Sequence, residues 1–479
     1  MRMARTVGGS VGRTTGFWRG AAAFAVAGPT ATRTLRATMM RRFPLGGLVV
    51  AFLVILVGTL RPVRAAEPAD DTELKFVLVV TRHGVRSPLP AQRTTLARYA
   101  AQPLPEWEVP PGHLTPHGKR QMTLMGEYYR ARFVAEGLLS GDVARDTDRV
   151  YFRSDSDERT LATARGLGAA LLPGVEIAVQ ARPNDGLDPL FLPVRVPLGK
   201  PDRQQAVASV LGRVGGDLNR AVQANQAAFA TLQRILVGES GEVPAGRQPV
   251  LPATTTVTPG NADRLLSVGG PLYVGSAMTD VLMLEYGNGN PLERVGWGRA
   301  TPERITQLMT LHSLYFELSQ ASSYPAQVQS SNLASHILAS LEQAASGRAD
   351  ARAFGGPGHK VVIVVGHDTN IANLGGLLGL NWWLPGTQRN PLLPGGALVF
   401  ELRERRADRQ PVVRVSYVSQ TLDQMRELTP LTLAQPPAIA RIYVPAASGA
   451  GEHFDAPLPR FAARVRAAID PQFVTADPN

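Results

Sequence analysis

The chain has 479 residues, 44% of them hydrophobic and 19% charged, with 47 Gly, 38 Pro and no Cys. This composition excludes collagen, coiled coil and wholesale disorder, and the missing thiols exclude disulfides, Cys-ligated zinc, iron–sulfur clusters and a thiol nucleophile. The formal charge of +11 would suit a nucleic-acid binder, but residues 1–66 hold ten Arg and no Lys, Asp or Glu; without them 40 basic residues face 39 acidic ones, which leaves no basic stripe for DNA or RNA.

The first segment reads as a leader. Met39, Met40, Arg41 and Arg42 open a positive n-region over 39–44, and residues 45–60 are an uncharged apolar run. Val63 and Ala65 then stand at small-residue cleavage spacing. The pattern predicts a signal peptide, a working protein that starts near Ala66, and a periplasmic or secreted location. The alternative is an uncleaved anchor, the only membrane contact expected, although the run is slightly short for a span of roughly 20 apolar residues.

Residues 74–81 (LKFVLVVT) form a short β-branched run that predicts a buried strand, ending at Arg82, His83 and Gly84. Residues 113–118 (HLTPHG) read as a turn into a helix over 119–136. A second strand over 150–153 is followed by SDSDER (154–159) and a helix through Leu171. The middle differs: 202–235, 275–286 and 301–345 read as helical. Thr301, Pro302 and Glu303 make a good helix start, and Ile305, Leu308, Met309, His312, Tyr315 and Phe316 then share one face. A third strand, 360–365 (KVVIVV), ends at Gly366, His367 and Asp368, and 397–402 and 412–418 predict two more. Pro-, Thr- and Gly-rich stretches at 239–262, 385–396 and 445–459 read as loops. Strands alternating with helices at both chain ends predict an α/β domain. Its first part is 67–200 and its second 346–479, with a mostly α-helical domain over 201–345 inserted between them. No internal repeat and no metal-binding cluster stands out.

Ligands of open α/β sheets bind outside the carboxyl ends of the strands. Three such ends here pool Arg82, His83, Arg86, Arg159, His367 and Asp368. Three guanidiniums at one point repel unless a multiply charged anion lies between them, and their planar forks match phosphate oxygens. With no thiol available, an imidazole can attack phosphorus, and a carboxyl can protonate the leaving alkoxide. His83 is then the nucleophile, Asp368 the general acid, and Arg82, Arg86, Arg159 and His367 the phosphate clamp. Gly84 would let the backbone approach closely. The bland alternatives are a polar strand end, a solvated helix start at Arg159 and a surface His-Asp pair at a helix cap.

At these residues the chain resembles the histidine acid phosphatase family, the RHGxRxP/HD branch of the histidine phosphatase superfamily, and within it the bacterial periplasmic phytases and glucose-1-phosphatases. The resemblance also runs through HLTPHG (113–118), SDSDERT (154–160), GWGR (296–299), GHDTNIANLGGLLGLNWWLPG (366–386) and QTLDQMRELTPL (420–431). It implies a mixed sheet flanked by helices, phosphoglycerate mutase-like, with an inserted helical domain. It also implies hydrolysis of small-molecule phosphate esters through phosphohistidine, with an acidic optimum and no metal; no cofactor is expected, and the chain is expected to be a monomer. The HDTN form points to phytate ahead of glucose 1-phosphate or a broad range of esters. Asp155, Asp280, His312 and Thr369 match positions that line the substrate pocket in the phytase group. His312 reads equally as a core histidine, and Asp280 as an exposed helix residue. Two departures weaken the phytate match: Pro90 stands where phytases often place a Lys, and no Lys or Arg lies between Glu317 and Gly347.

Overall fold

The computed structural model describes residues 70–183, 187–251 and 253–478; the leader reading for 1–66 lies outside them. In chain order the strands are β1 (Thr72–Arg82), β2 (Val150–Ser154), β3 (Val179–Gln180), β4 (Thr256–Pro259), β5 (Leu266–Gly269), β6 (Val361–Gly366), β7 (Ala397–Arg405), β8 (Pro411–Ser419), β9 (Ala438–Ile442) and β10 (Ala456–Pro457). Eight of them form one mixed sheet in the order β10-β8-β7-β1-β6-β2-β3, with β9 also paired to β8. β1, β6, β2 and β3 run parallel, whereas β7 to β10 add antiparallel pairs. β4 and β5 form a separate hairpin.

β1 and β6 are covered on both faces, which is why their sequences are continuously apolar instead of alternating. Val77, Val79, Ile363 and Val365 face a core shared with the helices Pro116–Ala135 and Glu158–Leu171. Their neighbours Leu78, Val80, Val362 and Val364 face the larger core, built with the helices of the middle segment and with Asp368–Leu378 and Leu458–Ala468. No helix among the described residues is long and apolar enough to cross a membrane.

Several predicted boundaries shift. The run 202–235 breaks into Arg203–Arg213, Leu218–Ala224 and Gln226–Val237, since Gly215, Gly216 and the capping Asp217 interrupt it. The run 301–345 becomes Pro302–Ser319 and Ser323–Ser346. The loop expected over 239–262 contains β4, and the loop expected over 445–459 contains β10 and the start of Leu458–Ala468. HLTPHG is helical from Pro116, with Thr115 accepting from the Gly118 N–H as the N-cap.

At the start of β1, away from His83, a network of charges joins four segments. Arg414 Nη1 lies 2.6 Å from Asp70 Oδ2, and its Nε lies 2.7 Å from Asp455 Oδ1. Arg403 bridges Asp70 at 3.2 Å and both Glu136 and Glu401 at 2.8 Å. Arg132 closes the set against Glu401 and Glu136. Burial opposes the charge on Glu401, but Arg132 and Arg403 outweigh it and hold the carboxyl at about 2.

Candidate active site

The parallel register levels three strand ends. Arg82 of β1 stands opposite Gly366 of β6, and Ser154 of β2 opposite Val365. The row continues one residue further: the His83 N–H donates to the Gly366 carbonyl over 3.0 Å, and the Asp155 N–H to the Val365 carbonyl over 3.0 Å. His83, Asp155 and His367 therefore leave the sheet side by side.

The loop after β1 is sewn down from two sides. Thr115 N–H donates to Val85 O over 3.0 Å, Val85 N–H to Gln121 Oε1 over 3.2 Å, and Gly84 N–H to Thr163 Oγ1 over 3.0 Å. A Cβ on Gly84 would lie 2.8 Å from Met122 Cγ, and one on Gly118 would lie 2.1 Å from Val85 O. Both glycines are thus demanded by the closeness of the loop to the helix Pro116–Ala135. Leu114 N–H donates to Glu158 Oε2 over 2.8 Å, coupling the same loop to the helix that carries Arg159.

His83 is 2% exposed. Its Nδ1 lies 2.9 Å from the Gly84 carbonyl oxygen. A carbonyl only accepts, so Nδ1 carries the proton and Nε2 keeps its lone pair. Burial drives the His83 pKa well below the usual imidazole range, and the charges of Arg159, Arg82, Arg86 and His367 push the same way. The ring is therefore neutral in mildly acidic water. The His367 ring stands edge-on at 5.7 Å between centroids, and its Nε2 lies 2.6 Å from Asp155 Oδ2.

The guanidiniums are clamped by carboxylates, which sequence reasoning did not foresee. Arg82 Nη2 donates to Asp280 Oδ1 over 2.5 Å and lies 3.2 Å from Asp368 Oδ2. Arg86 Nη2 donates to Asp280 Oδ2 over 3.0 Å, and Arg159 Nη2 to Asp157 Oδ2 over 2.5 Å. Gln92 completes the set by donating to Asp280 Oδ2 over 3.0 Å and accepting from Arg86 Nη1 over 3.2 Å. Burial opposes the charge on Asp280, but Arg82 and Arg86 win and hold its carboxyl well below the usual range. The Nε atoms of Arg82, Arg86 and Arg159 are buried without a hydrogen-bond partner. Three spare donors on one cluster fit an anion with several oxygens.

Asp368 opens the helix Asp368–Leu378, and its Oδ1 accepts from the Thr369 N–H over 2.8 Å. A cavity of about 580 Å³ spreads from this point, with Arg86, Asp280, His312, Asp368 and Thr369 in its wall. That is the ordinary size of a small-molecule site. Asp280 is only 3% exposed, so its reading as an exposed helix residue is corrected. His312 is packed on Phe316 yet also borders the cavity, its Nδ1 3.1 Å from Ser276 Oγ and its Nε2 buried without a partner. Asp155 is buried behind this wall, its Oδ2 against His367 Nε2.

Two groups, Asp155/Asp157/His367 and Asp280/His312/Asp368, bring their donor atoms close enough to share an ion. In the second group Arg82 already bridges both carboxylates, and in the first Arg159 pairs with Asp157. Guanidinium charge therefore offsets the field that would draw a metal cation, and the clusters fit an anion site better.

The histidine phosphatase superfamily (branch 2) profile matches residues 73–212 and 279–418. This chain belongs to that family. Phytase AppA of Escherichia coli K12 is 32% identical over 407 residues, 82% of this chain and 92% of the relative. A glucose-1-phosphatase of Providencia rettgeri is 28% identical over 372 residues, 77% of this chain and 85% of the relative. The Hafnia alvei phytase bound to tartrate superposes with a TM-score of 0.78 at 31% identity, covering 85% of this chain and 99% of that one. The same phytase with myo-inositol hexakis sulphate gives 0.76 at 30% identity over the same shares. The protein is a histidine acid phosphatase, a hydrolase of phosphomonoesters with the mixed α/β architecture of its family.

Proposed function

We propose that this phosphatase is an exported, phytase-like enzyme that removes phosphate from inositol hexakisphosphate. In this reading Arg82, Arg86, Arg159 and His367 bind the ester phosphate. His83 Nε2 attacks phosphorus, the P–O bond to the alcohol breaks, and Asp368 delivers its proton to the departing oxygen. Water then attacks the phosphohistidine, gives its proton back to Asp368, and inorganic phosphate leaves. The observation that carries the scheme is the His83 Nδ1 contact with the Gly84 carbonyl, which leaves Nε2 for phosphorus beside the charges of Arg159, Arg82 and Arg86.

The α/β parts, 67–200 and 346–479, supply the phosphoryl-transfer groups, and the helical part, 201–345, supplies Asp280 and His312. Thr369, Asp280 and His312 touch the substrate from the cavity wall, while Asp155 positions His367. Phytate is favoured by the named phytase relatives and by the inositol hexakis sulphate complex of the Hafnia enzyme. The glucose-1-phosphatase relative supports a second reading with a simpler sugar phosphate. Export rests on the leader, and N-terminal sequencing of the mature protein tests it: a start near Ala66 supports it, and an intact Met1 opposes it.

The substrate test is phosphate release from phytate, glucose 1-phosphate and 4-nitrophenyl phosphate in acid. Phytate should give the highest kcat/KM. A folded protein that cleaves only the two simple esters would remove phytate as substrate and keep the phosphatase.

A further inference from the structure

The cavity wall carries two more guanidiniums beyond the phosphate clamp. Arg195 ends a short turn, Pro193–Arg195, and Arg264 lies in the connection between β4 and β5. Both are exposed and both line the cavity that reaches Asp368, so they stand at its mouth. Neither side chain makes a hydrogen bond or ion pair among the described residues. By contrast Arg86, the buried cation of the same wall, is already bound to Asp280.

Both positions are held by packed structure. The segment before Arg195 is fastened to the catalytic strand ends: Asp188 pairs with buried Arg153 of β2, and Asn370, two residues after Asp368, donates to the Phe191 carbonyl over 3.2 Å. The β4–β5 connection is held by Arg203, whose Nε and Nη2 donate to the Asn261 carbonyl over 3.1 and 2.9 Å. Tyr273 and Tyr315 line the wall with ring centroids 6.1 Å apart, and Tyr315 feels the charges of both Arg264 and Asp368. Of the three carboxylates in the lining, Asp280 and Asp368 are paired with Arg82 and Arg86 and only Asp263 is exposed, so Arg195 and Arg264 leave the exposed part of the wall with an excess positive charge.

We propose that Arg195 and Arg264 form a distal anion subsite that takes a second phosphate of a polyphosphorylated ester while the first lies against His83. An ester with one phosphate cannot reach both places. Such a subsite presupposes the polyphosphate substrate proposed above, and it acts on binding and steering instead of on the chemical step.

The test compares wild type with the double variant R195Q/R264Q and the charge-keeping R195K/R264K, on phytate and on 4-nitrophenyl phosphate. Inhibition of aryl phosphate hydrolysis by inositol hexakissulfate gives a binding readout free of turnover. In R195Q/R264Q the ratio of kcat/KM for phytate to that for the aryl ester should fall roughly tenfold, mostly through KM, with a flatter dependence on salt. The sulfate inhibitor should weaken in parallel, and R195K/R264K should recover most of both. A ratio and an inhibition constant that stay within about twofold of wild type would overturn the subsite. If wild type itself leaves phytate intact, the substrate proposal fails; if wild type cleaves phytate and the ratio holds, the subsite alone fails.

Discussion

Asp280 and Arg82 form a buried ion pair, Oδ1 to Nη2 at 2.5 Å, and the second oxygen of the same carboxylate holds Arg86 at 3.0 Å. Removing one partner of such a pair leaves uncompensated buried charge, which costs about 3–5 kcal/mol. Asp280→Ala should therefore lose stability on that scale in urea unfolding, and inorganic phosphate should restore part of it. Because the folded pKa of Asp280 is depressed, its contribution is present above the unfolded value of 3.8 and is lost only as pH falls well below it. A variant as stable as wild type at pH 5 would mean that the two guanidiniums need no internal counter-charge.

His83 yields a prediction about acid activity. Its depressed pKa keeps Nε2 unprotonated as pH falls below the ordinary value of 6.5. Phosphoenzyme should form in rapid-quench experiments at pH 4–5, and His83→Ala should form none. Arg159→Ala removes one of the charges that hold this pKa down, so the acid limb of kcat/KM should move to higher pH. An acid limb at the same pH in both proteins would detach that limb from His83.

Asp368 should matter most when the leaving group is a poor one. Asp368→Asn should slow alkyl phosphates by about 10²–10⁴ while sparing aryl phosphates, whose leaving oxygens need less proton help. Equal losses on both ester types would take the proton-donor role away from Asp368.

Glu285 gives a stability signal independent of catalysis. It is 1% exposed and accepts from the Gly296 N–H over 2.8 Å, and burial pushes its carboxyl up to about 7. Between the unfolded value of 4.5 and about 7 the fold holds a proton that the unfolded chain has released. Stability should fall as pH rises through that window, by on the order of 3 kcal/mol at most. Glu285→Gln should flatten this slope; an unchanged slope would place its source elsewhere.

The strand ends of the candidate site were readable because both faces of β1 and β6 are covered, which forces unbroken apolar runs that stop abruptly at RHG and GHD. The carboxylates were harder. Asp280 sits on the helix Pro271–Gly287, which is buried nearly all round, so no polar stripe marks which way any residue points. Asp157 looked like one acid in a charged run, and only the fold turns it toward Arg159. Three converging arginines taken alone call for an external anion, whereas Asp280, Asp368 and Asp157 already offset part of their charge. The hairpin of β4 and β5 was lost because its first strand is short, largely exposed and rich in Thr and Pro.

The charge network at the start of β1 has a practical consequence. Asp70, Glu136, Asp455 and Glu401, paired with Arg132, Arg403 and Arg414, tie the beginning of the described chain to the segment that enters β10 in a protein without a single thiol. Maturation then requires no oxidase or disulfide isomerase. Reducing agents should leave the folded enzyme indifferent, and a host's ordinary cytosol should suffice to produce it.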